Sequence, residues 1–144
     1  MSTIRAVQYE PFHSYEINLR EQDKLSTAEL NHDPELCATG PAITLIAEEI
    51  IACIGYLSQN GVGNMWMLTS PLIEKYKFWM YRNMKYVLDE LVMKQDIHRL
   101  QAVVRASNEP AHRWIQHLGF EKEGVLKKFT PDPDYVLYAR LNDG

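Results

Sequence analysis

The polarity pattern changes period three times along the chain, and each change marks a structural element. From Ala42 to Leu57 the residues are apolar and largely β-branched, broken only at Glu48-Glu49. That pattern predicts two strands, Ala42–Ala47 and Ile50–Leu57, joined by a hairpin turn at the two glutamates. A second turn covers residues 58–63. Asn64–Thr69 then alternates, with Trp66 and Leu68 on one face and Met65 and Met67 on the other. Upstream, Thr3–Tyr9 reads as a first strand. His13–Asn31 is polar and helical, in two pieces; Ser26 followed by Glu29 has capping-box spacing and predicts the second start. Asp33-Pro34 predicts its end.

After Ser70-Pro71 the period becomes helical. Serine suits an N-cap and proline the first helical position, so one long helix is expected to start there. Leu72, Tyr76, Met80, Met84, Leu88 and Leu91 make its apolar stripe; Glu74, Lys75, Lys77, Arg82 and Lys85 make its wet face. Asp96–Ala106 reads as a strand again. A strand, a helix and a strand in succession predict a parallel pair with a right-handed crossover. The stretch SNEPAHRWIQHLGF then encodes a short helix. Asn108 is its expected N-cap, Pro110 lies in its first turn, and Gly119 supplies a left-handed stop. Strands at Phe120–Phe129 and Tyr135–Leu141 close the chain. The expected fold class is α/β: a single domain over residues 1–144, with a mixed central sheet and helices on both faces.

Composition narrows the function classes without choosing one. A chain of 144 residues can bury roughly 68–70% of its unfolded surface and so needs no staple. Net charge is -4, and Lys127-Lys128 is too short a basic run to serve as a nucleic-acid footprint. The most apolar window is interrupted by Glu48-Glu49 and is too short to span a bilayer. No apolar signal segment stands among the first residues. Cys37 and Cys53 lack metal or redox spacing and suit a reducing compartment, and the five histidines form no zinc pattern. Neither a nucleic-acid nor a membrane partner is expected, and no metal site.

The run NEPAHRWIQHLGFEKEG resembles the GNAT family of acyl-CoA N-acyltransferases, through Asn108, Ala111, Leu118, Gly119, Phe120, Glu123 and Gly124. Ile115, where many members have tyrosine, and the closing DYVLYARL make the chain similar to the branch of ribosomal-protein N-terminal acetyltransferases. WMLTS before a basic, aromatic helix also resembles small GNAT-like proteins of short-tailed phages, a group that includes an internal virion protein.

The resemblance implies acetyl-CoA or coenzyme A as co-substrate and an acceptor amine on a protein or small molecule. It places the cofactor against Met67, Leu68 and Thr69, with Asn108 on the pantetheine arm and Arg113 beside the adenosine phosphate. A helix N-terminus offers amides and positive potential to the pyrophosphate. The family's glycine-rich loop is replaced here by TSPLIEKYKFW, in which Glu74 would repel an anion and Lys75 and Lys77 would offset it. His112 is the candidate base, while Glu48 and Glu49, at a hairpin tip, are expected to lie far from the chemistry. The rival expectation is a GNAT-like binding module directed at a host protein if phage-encoded. The expected location is cytoplasmic, or a virion, and the expected state is a monomer or homodimer.

Overall fold

The computed structural model describes residues 3–142. In chain order these form β1 (Arg5–Gln8), α1 (Pro11–Glu16), α2 (Glu21–Glu29), α3 (Pro34–Cys37), β2 (Ala42–Ile46), β3 (Ile50–Gln59) and β4 (Val62–Thr69). They continue with α4 (Leu72–Lys75), α5 (Lys77–Val92), β5 (Arg99–Arg105), α6 (Glu109–His117), β6 (Glu121–Leu126) and β7 (Tyr135–Leu141). The strands make one sheet in the order β1-β2-β3-β4-β5-β7-β6. Every neighbouring pair is antiparallel except β4 with β5. This is the mixed α/β sheet expected from the sequence.

Alternation along the strands divides the core into two layers. On one face Met80, Met84, Leu88 and Leu91 of α5 pack with Leu100, Ala102 and Val104 of β5 and Ile115 of α6. Met65 and Met67 lean against the same layer. On the other face Leu68 and Trp66 of β4 join Tyr9, Ile17, Cys37 and Cys53 beneath the first three helices. The tip of the β2–β3 hairpin is at Glu48-Glu49, where the Ala47 N–H donates to the Glu49 carbonyl at 3.0 Å.

The short helix α6 has the punctuation its sequence implies. The Asn108 carboxamide oxygen accepts from the Ala111 N–H at 3.4 Å, and Gly119 closes the helix at φ +96°. That φ suits a residue without Cβ, and it lets Phe120 turn back into the core.

Several boundaries differ from the sequence expectation. β1 and β5 are shorter than expected and α1 begins at Pro11. The turn expected over 58–63 shrinks to Asn60-Gly61, because both take left-handed φ and let β3 run to Gln59 and β4 start at Val62. The second helix begins at Glu21, not Ser26, because Glu21 and Asp23 supply its acidic first turn while Glu29 is drawn to Arg105 instead of back to Ser26. Asp33-Pro34 opens a helix of its own: Asp33 caps α3 by accepting from the Leu36 N–H at 3.1 Å. The long helix after Ser70-Pro71 is two helices. Tyr76 breaks it at φ −106°, ψ 20°, and its hydroxyl donates to Glu48 at 2.5 Å, a contact made from the break. The expected strand Phe120–Phe129 ends at Leu126, since Lys128 takes a left-handed φ of 51° in the turn before β7.

Leu88 is fully buried between α5 and the sheet. Leu88→Ala should destabilise the domain by about 2–5 kcal/mol, read as a lower urea midpoint.

Candidate functional site

The parallel pair is short. β4 and β5 are in register only at Val62–Arg99, Gly63–Leu100 and Asn64–Gln101. β4 then runs on to Thr69 with β3 along its outer edge, and β5 runs on to Arg105 with β7 along its own. Their facing edges part beyond Asn64, which opens a gap in the middle of the sheet. Ser70 donates its N–H to Ile51 of β3 at 2.9 Å. Thr69, one residue earlier, therefore turns its peptide groups toward the gap, and by alternation so do Met67 and Met65. α6 and the α4–α5 pair start just beyond the diverging strand ends.

Helix α2 spans this gap. At the β4 side, the Asp23 carboxylate accepts from the Thr69 N–H at 2.6 Å and from the Thr69 hydroxyl at 2.5 Å. The Arg20 N–H donates to the Thr69 carbonyl at 3.0 Å, and the Arg20 guanidinium lies 3.6 Å from Glu74. At the β5 side, Arg105 donates to Glu29 at 2.9 Å, and the Tyr135 hydroxyl donates to the same carboxylate at 2.5 Å. Ser107 adds a bond to Gln22 at 3.2 Å. Burial raises the Asp23 pKa above the usual carboxylate range, against the opposing effect of the Thr69 hydrogen bonds. Arg105 lowers that of Glu29.

A second carboxylate acts at α4. Glu48, on the hairpin tip, receives the Lys75 ammonium on one oxygen and the Tyr76 hydroxyl on the other. Those two donors pull its pKa down to about 2. The hairpin tip is thus brought onto the helix start that the family resemblance assigns to phosphate, against the expectation that it lies far off. Polarity pattern marked the turn correctly and said nothing of which way it leans.

The residues singled out from the sequence lie around the gap in different states. Met67 and Leu68 lie on opposite faces of β4 beside it. Asn108 is buried in its cap, Arg113 is exposed on α6, and Lys77 is exposed at the first turn of α5, close to the ring of Phe78. His112 is not a free surface base. Its Nε2 lies 3.0 Å from the Ala106 carbonyl and its Nδ1 2.8 Å from the Tyr138 hydroxyl. A carbonyl can only accept, so Nε2 carries the proton and Nδ1 accepts from Tyr138. Both nitrogens are committed, and the ring clasps α6 to β5 and β7.

Sequence reasoning missed Asp23, Arg20, Glu29 and Glu48. Each is a charged residue on a polar stretch, and spacing carries no sign of its distant partner. It also gave no role to His32. A pocket of about 320 Å³ between α1 and α2 is lined by Ser14, Thr27, His32 and Leu68. His32 Nε2 lies 3.2 Å from Ser14 Oγ, and burial lowers its pKa, so the ring is neutral at pH 7. Among the described residues no group of His, Cys, Asp and Glu is placed to hold a metal, and no helix is long and apolar enough to cross a membrane.

No protein-family model and no curated protein matches this sequence. Its fold is nevertheless close to that of solved acetyltransferases. A GNAT-family acetyltransferase from Bacillus anthracis superposes with a TM-score of 0.70 at 15% identity, covering 98% of each chain. The ribosomal-protein-S5-alanine acetyltransferase from Vibrio fischeri gives 0.63 at 17% identity, over 99% of this chain and 97% of that one. The ribosomal-protein-S18-alanine N-acetyltransferase from Escherichia coli gives 0.65 at 16%, over 98% and 94%. The chain has the GNAT acetyltransferase fold over its full described length.

In this conformation the residues before α5 do not fit a coenzyme A pyrophosphate, and of the peptide groups beside a pantetheine arm that of Thr69 is taken. The Thr69 amide is bonded to Asp23, Lys75 is neutralised by Glu48, and no glycine stands in the turn before α5.

Three outcomes can be measured at these groups. His112→Phe leaves the buried Tyr138 hydroxyl without its acceptor and should cost about 1–3 kcal/mol in chemical denaturation. The Glu48 carboxyl resonance should titrate with a midpoint near 2. Because that pKa is lowered, the tie to Lys75 is complete above the ordinary carboxylate range and is lost as pH falls toward 2. Lys75→Met should raise the midpoint toward the ordinary range, with the Tyr76 hydroxyl still holding it below.

Proposed function

We propose that the domain is an acetyl-CoA-dependent N-acetyltransferase acting on an amine of a protein or small molecule in a cytoplasmic setting. One observation carries this reading: the parting of β4 and β5 beside the capped start of α6. It leaves the β4 edge at Met67 facing a gap bordered by helix starts. An edge of this kind offers peptide donors and acceptors to an amide-bearing arm, and Asn108 stands at the start of α6. When bound, the co-substrate supplies an activated thioester. The chain's own contribution is to position the arm and admit the acceptor. The pocket beside Leu68 gives the acceptor an approach from the α1–α2 face, with neutral His32 in its wall.

A second reading has its own support. The Thr69 amide and the Lys75 ammonium are already satisfied inside the chain. A domain of this fold that acts only by binding another protein would have this arrangement, and a host protein or virion component would then be the partner.

Titration calorimetry with acetyl-CoA and with coenzyme A separates the two. The transferase reading expects saturable binding, weakened several-fold by Asn108→Ala and not weakened by Glu48→Ala. Absence of binding at millimolar cofactor, with both variants folded, would favour the binding module.

A further inference from the structure

We infer that the chain holds its own cleft shut: Asp23 of α2 and Glu48 of the β2–β3 hairpin occupy, as internal ligands, the Thr69 amide and the Lys75 ammonium that a coenzyme A molecule would need. The inference rests on the cleft location proposed above and goes beyond it by making access conditional on two named contacts.

The geometry carries the argument. Thr69 is the last residue of β4, and its N–H, hydroxyl and carbonyl are all bonded to the Arg20–Asp23 segment. The same helix is tied at its other end to β5 and β7 through Glu29, Arg105 and Tyr135. α2 therefore closes the gap from both banks, and a pantetheine arm cannot pair with Thr69 until Asp23 leaves. No apolar residue of α2 is buried: Leu25 and Ala28 are exposed, and the side chains it covers are polar ones such as Asp23 and Glu29. It has no apolar anchor and is held chiefly by these polar bonds, each of modest net worth. Such an element belongs to the low-stability part of a domain, so its release need not unfold the rest. At the end of α4 the Glu48 carboxylate accepts from Lys75, the only cation in Leu72–Lys75.

The groups around Asp23 set the direction of its pH response. Arg20 on the approach to α2 is the cation that lowers its pKa, Thr69 on β4 donates to it, and burial outweighs both. An acid whose pKa is raised in the closed state favours that state as pH falls through the raised value. Acidification toward the ordinary carboxylate range therefore tightens α2 on Thr69. Asp23→Asn keeps an acceptor oxygen without the buried charge and should hold the strap; Asp23→Ala removes the acceptor and should free it.

The test compares the wild type, Asp23→Ala/Glu48→Ala and Asp23→Asn, all checked for native circular dichroism. Coenzyme A affinity is read by calorimetry and the Thr69 amide exchange rate by NMR. The expected result is faster Thr69 exchange and at least tenfold tighter coenzyme A binding in the double alanine variant, with neither change in Asp23→Asn. Faster exchange with affinity equal to that of a binding wild type overturns the latch and leaves the transferase reading standing. Faster exchange with no coenzyme A binding by any variant overturns the cleft assignment and the latch with it. Unchanged Thr69 exchange in the alanine variant also overturns the latch, since α2 would then be held by something else.

Discussion

The structure is organised by one constraint: β4 and β5 are paired with each other over only three residues, yet each is fully paired on its outer edge. Backbone donors and acceptors on the inner edges must find partners, because leaving them buried and unpaired is costly. At the end of β4 that demand is met from α2. α2 lies across the gap and satisfies Thr69. Arg105 and Tyr135, paired across β5 and β7, meet Glu29 from the same helix. The helices after β4 and β5 begin beyond the parting, held by the Ser70–Pro71 turn on one side and the Asn108 cap on the other.

The two faces of the sheet are stabilised differently, and this bears on where movement can occur. Beneath α5 the contacts are apolar, continuous and fully buried, from Met80 through Leu91 to Leu100 and Leu118. Beneath α1, α2 and α3 the apolar cluster is smaller and polar bonds do more of the holding. Hydrophobic burial scales with area and yields only when the element leaves as a whole. A helix attached by a few directional bonds can be released by changing two or three atoms. The fold thus pairs an apolar half that positions α6 and β4 with a lighter half held more by directional polar bonds.

Electrostatics act locally here. Net charge is -4, but the carboxylates that matter each have a specific cation or hydroxyl: Glu29 with Arg105 and Tyr135, Glu48 with Lys75 and Tyr76, Asp89 with Arg140. The exposed pairs among them add little to stability. Their effect is one of occupancy: a lysine with a carboxylate on it is not a free phosphate site. The likeness in fold to solved acetyltransferases of 15–17% identity and the state of the cleft are therefore separate facts, and the second qualifies what the first implies about activity.

What the sequence determined by itself was everything set by local periodicity and capping. The Ala42–Leu57 hairpin, the alternation of Trp66 and Leu68 against Met65 and Met67, the parallel unit around α5 and the punctuation of α6 by Asn108 and Gly119 all follow from residues a few positions apart. Short-range sterics and the inside–outside pattern are enough to specify them. Where local signals competed with distant partners they misled. Ser26–Glu29 has the spacing of a helix start, but Glu29 is taken by Arg105, 76 residues away. Ser70-Pro71 promised one helix, but Tyr76 turns to Glu48 and splits it. Tertiary structure alone decided that β4 and β5 part after Asn64, that Asp23 reaches Thr69 and that Glu48 reaches Lys75. Those pairings depend on how the layers stack, and a charged residue on a polar helix looks the same in sequence whether it faces water or caps a strand.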